Sequence, residues 1–251
     1  MKRLLLPLLL IMLMLLALPA LAESPAELGE PLQGVYTWPE GSAEDDALYV
    51  YRYCYPQLAG ESDLAMHFNS TYAYTVEDAL GFEVPMLASD MQEGDPQKVV
   101  EITYDITCMN ADYLSVLICK TVTVDGESTA VYAGHVFALT GSGAGRIINL
   151  PIYLGLLDAA ETDEWLLTRQ TNKADKLVRE LIWDKIEASL GNPCYDDLTY
   201  EEIEAGFYPE EDFYLDENGE PVFYFQPGAI APEEEGLVTF PYPLDDLLDE
   251  L

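Results

Sequence analysis

Bases are scarce in this chain: 11 Lys and Arg stand against 46 Asp and Glu in 251 residues, giving a formal charge of −35 and a sequence pI near 4.1. Phosphate contacts need Lys and Arg to displace counterions, so a surface this anionic is repelled from DNA, RNA and anionic lipid, and a nucleic-acid binder is excluded. Histidine is rarer still, with only His67 and His135. Neither has a metal-ligating neighbour at i+3 or i+4, and neither HExxH nor CxxC occurs, so no metal site and no cofactor is predicted. The acid-rich turn around Asp216, Glu217 and Glu220 lacks the loop spacing of an EF-hand, which leaves only weak calcium binding at acid clusters open. No Lys follows the glycines of Gly141-Ser142-Gly143-Ala144-Gly145, so that segment reads as a turn and not a phosphate loop. A GxSxG nucleophile elbow is also missing, and no catalytic residue is assigned. After residue 22 no run is apolar enough to span a bilayer.

What is present is the composition of a folding chain, 49% hydrophobic and 11% aromatic, with enough apolar surface for a core. The first residues read as a secretory signal peptide: Lys2 and Arg3, an apolar run from Leu4 to Leu18, then Ala20-Leu21-Ala22 as a small-residue cleavage site. Cleavage after Ala22 leaves 229 residues and, with two bases and no acid removed, a charge of −37. This predicts a secreted product, extracellular or in the cell envelope, with no membrane span after cleavage. Residues 23–46, rich in Pro, Gly and acids, read as an extended acidic leader, and ordered structure is expected from about Ala47.

Ala47 to Leu58 alternates as a strand. Leu64, Phe68, Tyr72, Val76 and Ala79 recur at steps of four and three, which predicts a helix near residues 62–80. Lys98 to Cys108, Tyr113 to Val124 and Ser128 to Leu139 are β-rich runs separated by Asn110-Ala111-Asp112 and by Asp125-Gly126-Glu127, a β-meander whose second turn carries the stronger signal. A short run from Arg146 to Leu150 precedes a long helix near residues 161–190, striped by Trp165, Leu166, Leu177, Val178, Leu181, Ile182 and Ile186 and stopped by Gly191 and Pro193. Thr199 and Glu202 form a capping-box pattern. Asp212 to Leu215, Val222 to Gln226 and Leu237 to Phe240 read as strands, the first two turned by Asn218-Gly219. The fold class is therefore α+β: an antiparallel meander packed against both helices, with a C-terminal strand pair. Residues 47–251 form either one domain or two subdomains, 47–150 and 151–251.

Charge is uneven along this framework. Arg169, Lys173, Lys176, Arg179 and Lys185 lie on the long helix, and the last 66 residues hold 19 acids and no base. Two readings compete: a solvated face partly neutralised by the helix bases, or a docking surface for a basic partner. The four cysteines, Cys54, Cys108, Cys119 and Cys194, permit two disulfides in an exported chain. If Asn110 to Asp112 closes the hairpin, Cys108 lies opposite a residue near Ser115 and out of reach of Cys119. Cys54 then pairs with Cys108 or Cys119 and Cys194 with the other, or all four stay as thiols.

The stretch Asn218 to Leu248, NGEPVFYFQPGAIAPEEEGLVTFPYPLDDLL, resembles the final part of the RsiV-type extracellular domain. Tyr55-Pro56-Gln57-Leu58, Asn69, Tyr132-Ala133-Gly134-His135, Leu139-Thr140-Gly141 and Ile148-Asn149-Leu150 fall in matching order, so the likeness spans about Leu48 to Leu248. It departs where Ala133 replaces a Gly before Gly134 and His135, and in the loop Gln226-Pro227-Gly228-Ala229. The resemblance implies an α+β recognition module, found in an anti-sigma factor that senses lysozyme by binding it and as the companion domain of PdaC-type peptidoglycan deacetylases. The sigma-binding segment and the deacetylase domain have no counterpart here, so the chain reads as a stand-alone secreted member of bacterial type. The expected partner is a cationic protein such as lysozyme, or a peptidoglycan component of the cell wall. The candidate binding residues are Gln226, Pro227, Glu233, Glu234 and Glu235 in the loop from Gln226 to Gly236, Glu217 and Glu220 in the preceding hairpin, and His135. A histidine in an apolar strand such as that of His135 is more often a packing residue than a catalyst. The alternatives are a cell-envelope glycan hydrolase using paired Asp or Glu carboxylates and a structural envelope protein without catalysis.

Overall fold

The computed structural model describes residues 26–188 and 193–251. The signal sequence expected over residues 1–22 and the helix stop expected at Gly191 lie outside the described residues. The fold is α+β, as expected. Six strands, β1 (Leu32–Trp38), β2 (Tyr49–Tyr55), β3 (Lys98–Met109), β4 (Tyr113–Val124), β5 (Glu127–Ala138) and β6 (Ile147–Ile148), form one sheet in chain order. The meander β3-β4-β5 ends within a residue of its expected limits. Asp125 and Gly126 supply the two positive φ angles, 53° and 82°, that a two-residue hairpin turn needs. A bulge between Ile106 and Cys108 shifts the β3–β4 register so that Cys108 faces Ser115.

Two findings differ from the sequence reading. The stretch read as a leader contains β1, which pairs along its whole length with β2; Gly34 interrupts its pattern because the Tyr53 ring lies where a Cβ would be. Strand β2 also runs parallel to β3, and parallel neighbours require a crossover. That crossover is α1 (Asp63–Asp78), which continues through a π turn at Ala79–Glu83 into α2 (Val84–Ser89). Ser62 caps it by accepting from the Ala65 N–H at 3.1 Å. Asn69, reached by the resemblance, uses its side-chain amide to bond both the N–H and C=O of Leu58, at 2.7 and 3.0 Å, and so pins the exit of β2 to the helix.

The sheet separates two cores. On one face Ala65, Phe68, Tyr72 and Val76 of α1 pack on Tyr49, Tyr51, Val100, Ile102, Leu114, Val116 and Phe137. On the other, Cys108, Val136 and Ala138 meet the C-terminal half. That half holds α3 (Leu150–Tyr153), α4 (Glu164–Ala188), α5 (Tyr200–Gly206), a second sheet of β7 (Phe213–Leu215), β8 (Pro221–Phe225) and β9 (Val238–Pro241), and α6 (Leu244–Glu250). The expected strand pair is a three-stranded antiparallel sheet: all of β8 is buried, and β9 satisfies its second edge. The capping box of Thr199 and Glu202 is formed in full. Cys108 and Cys119 are well apart in register, because Cys119 faces Thr103.

The halves approach closely where β5 passes β7. A Cβ on Gly134 of β5 would sit 2.0 Å from the Phe213 carbonyl oxygen of β7. Beside it the fully buried Ser115 hydroxyl accepts from the Leu215 N–H at 2.9 Å, and the Gly134 N–H donates to Tyr224 Oη at 2.8 Å. Gly134→Ala is therefore expected to cost about 3 kcal/mol through overpacking against backbone. Gly81→Ala, where a Cβ meets open space, is expected to be neutral or slightly stabilising. Urea unfolding of the two variants checks both.

Candidate functional site

Strand β6 pairs with β5 at only two positions, Val136 with Ile148 and Phe137 with Ile147. The chain then leaves because Asn149 caps α3, its side chain accepting from the Ile152 N–H at 3.3 Å, and Pro151 cannot donate to a ladder. The Leu150 N–H goes instead to the Glu210 carbonyl at 3.2 Å. The diverging strands leave a cleft of about 560 Å³ lined by Tyr132 to His135, Ile147 to Asn149, Ile152, Tyr224 and the acidic run Glu210, Glu211 and Asp212. It contains three carboxylates and no Lys or Arg.

These acids are not equivalent. Asp212 accepts from the Tyr208 N–H at 2.9 Å, yet burial, with Glu210 and Glu211 beside it, pushes its carboxyl up to about 6. Behind the cleft wall, Asp175 occupies the core side of α4 with its side chain 7% exposed. Burial and then the facing Glu210 carboxyl hold Asp175 well above the usual carboxylate range; Arg179, 3.6 Å away, opposes this but does not prevail. Asp175 Oδ1 and Glu210 Oε2 are buried with no N–H or O–H donor, surroundings that favour the protonated form of Asp175. The Arg179 guanidinium is committed to the Phe207 carbonyl, which it reaches at 3.0 and 2.9 Å.

His135 lines the cleft, and its Nδ1 lies 3.2 Å from Tyr72 Oη. Burial lowers its pKa to about 4, so the imidazole is neutral near pH 7. Gln226 is committed elsewhere: its amide bonds the N–H and C=O of Tyr132 at 2.8 and 2.7 Å, capping the open edge of β5. Glu220 accepts from the Leu244 N–H at the start of α6, and Glu217 is exposed on the hairpin. Pro227 is half-buried, while Glu233, Glu234 and Glu235 form one exposed turn. Glu235 borders a separate groove of about 380 Å³ beside Lys185, Leu237 and Phe240. The expected binding residues are thus dispersed, and only His135 of them lines the cleft. The residues missed are Glu210, Glu211, Asp212 and Asp175. Asp175 carried a signal, since an acid next to Ala174 and three and seven residues before Val178 and Ile182 falls on the apolar stripe.

Residues 165–245 match the DUF3298 family, described as a protein of unknown function. The matched stretch runs from α4 through β9 and contains Asp175, the acidic wall of the cleft and Gln226. Two solved DUF3298 structures are similar. One, from Pseudomonas aeruginosa PAO1, has 11% identity and a TM-score of 0.52 and aligns over 91% of this chain and 95% of its own. The other, from Bacteroides fragilis NCTC 9343, has 16% identity and a TM-score of 0.49 over 88% of this chain and 92% of its own. The Pseudomonas likeness shows a shared fold. No curated protein matches the chain. Among the described residues no group of His, Cys, Asp and Glu is arranged to hold a metal, and no helix is long and apolar enough to cross a membrane.

The buried Asp175 carboxyl sets a pH dependence. Asp175 binds its proton more tightly folded than unfolded, so its contribution to stability is full below the unfolded carboxylate pKa near 3.9 and lost as pH rises through the raised folded value. His135 acts in the opposite sense between pH 6.5 and 4, where its depressed pKa leaves it neutral while the unfolded residue charges. Above pH 6.5 the carboxyls dominate. Thermal melts between about pH 6.5 and 8 are expected to show wild type losing stability, and Asp175→Asn, whose amide can donate to Glu210, gaining on the order of 1 kcal/mol over it at the upper end.

Proposed function

We propose that this protein is an exported recognition module that binds a cationic protein, such as a lysozyme, through its acidic C-terminal half. The observation that carries this reading is the base-free cleft, rimmed by Glu210, Glu211 and Asp212. The wider charge distribution supports it. Among the described residues the ion pairs use Glu44, Glu101, Glu83, Glu180 and Asp175, and no acid beyond Glu180 takes part in one. Three of the five helix bases donate to main-chain oxygens: Lys173 to Leu251, Arg179 to Phe207 and Lys185 to Pro241. The C-terminal acids therefore keep their field toward solvent, where it steers a basic partner. Export is proposed on the signal sequence read at residues 1–22. The RsiV-type resemblance, which is compatible with the DUF3298 match, supplies lysozyme as the example of a partner.

A second reading rests on Asp212. A carboxyl near 6 in a cleft beside Glu210 and Glu211 has the character of a general acid, as glycoside hydrolysis uses. Pure protein that turns over peptidoglycan fragments, and stops doing so on Asp212→Asn, would favour it.

For recognition, a basic lysozyme is expected to bind at low salt and to lose about tenfold in affinity at about 0.2 M salt. Glu211→Lys, an exposed reversal on the cleft rim, should cost a further factor of about ten. Replacing Glu233, Glu234 and Glu235 together by Gln should cost less. Titration calorimetry reads all three, and indifference to Glu211→Lys removes the cleft from the site.

A further inference from the structure

The helical crossover between β2 and β3 presents a second surface. Tyr74, Phe82, Met86 and Met66 on it are 69%, 67%, 49% and 54% exposed. Single exposed apolar side chains need no explanation, but Tyr74, Phe82 and Met86 in sequence on one helical segment do. Eight residues of regular α-helix would place Phe82 roughly 80° round the axis from Tyr74. The π turn at Ala79–Glu83 winds less per residue than an α-helix and offsets that rotation, which agrees with Tyr74, Phe82 and Met86 being exposed while Phe68, Tyr72, Val76 and Val84 are buried. The local irregularity thus serves the outer face as well as the core.

The charges around this stripe are of one sign. Between Arg52 and Lys98 the sequence has no Lys or Arg and eight acids: Glu61, Asp63, Glu77, Asp78, Glu83, Asp90, Glu93 and Asp95. Glu83 pairs with Lys120 of β4 at 3.2 Å, and Glu77 and Asp78 are exposed between Tyr74 and Phe82. A second copy of this chain or an anionic bilayer would bring like charge against these acids. A segment that offers apolar side chains and bases together meets both features, and flexible Met beside aromatics suits a helix laid along it.

We infer that the outer face of the α1–α2 crossover, centred on Tyr74, Phe82 and Met86, docks a cationic amphipathic helix. This rests on the preference for cationic partners proposed above but uses the opposite face of the six-stranded sheet from the C-terminal cleft, so the two can fail separately.

The test uses the full protein and a labelled Leu–Lys amphipathic peptide about four helical turns long, followed by fluorescence anisotropy, with oligolysine of equal charge as the comparison. The peptide should bind wild type more tightly than oligolysine does. Tyr74→Ser combined with Phe82→Ser should weaken the peptide about tenfold or more, leave oligolysine unchanged and leave the melting temperature unchanged, since both side chains lie mostly in solvent. Glu211→Lys should not affect the peptide. Equal binding of the peptide to wild type and the double variant, equal affinity for peptide and oligolysine, or a wild-type dimer in sedimentation that the double variant dissolves would each overturn the inference. If the peptide is indifferent to the double variant while lysozyme still responds to Glu211→Lys, this inference falls and the cleft reading stands.

Discussion

The contact between Gly134 and the Phe213 carbonyl is the constraint around which the C-terminal half is arranged. A side chain at that point would meet backbone at 2.0 Å, and backbone yields less readily than the end of a side chain. With the two sheets this close, Ser115 can satisfy the Leu215 N–H, Tyr224 can accept from Gly134, and Gln226 can cap Tyr132. Each bond answers a polar group that the approach would otherwise bury unpaired. The cleft follows from the same geometry: β5 is held from one side by the second sheet and released on the other by β6, which stops after two residues.

The distribution of bases has a related logic. Lys185 lies 3.4 Å from the centroid of the Tyr242 ring and donates to Pro241 at 2.8 Å, so its charge serves a ring and a carbonyl at the base of α6. Arg169 lies over Trp165 at 5.2 Å. Lys173 and Lys185 of α4 thereby hold the C-terminal segment by its main chain. Charge asymmetry visible in composition alone thus survives folding.

Much of the secondary structure was legible. Asp125-Gly126, the capping box of Thr199 and Glu202, and the alternation of β3 to β5 are local signals, written in neighbouring residues by φ preference, hydrogen-bond reach and side-chain period. Strand β1 was not, because Gly34 and its flanking prolines hide a period that only pairing with β2 reveals. The site was less legible than the fold. Gln226 looked like a loop contact and is a clamp on Tyr132; Glu220 looked exposed and caps α6. Polar residues in loops can serve either solvent or an unpaired main-chain group, and sequence does not distinguish the two uses.

By itself the sequence determined the charge of the chain, most of the elements with their periods, and the presence of one acid on the apolar stripe of α4, since each of these depends on residue identity and spacing along the chain. The tertiary structure alone decided that β2 lies parallel to β3, that Asp175 meets Glu210 across thirty-five positions of chain, and that Glu211 and Asp212 share a cleft with His135. Those are relations between segments brought together by packing, and a carboxyl's proton affinity or a cleft's polarity is set by neighbours in space, which no local pattern encodes.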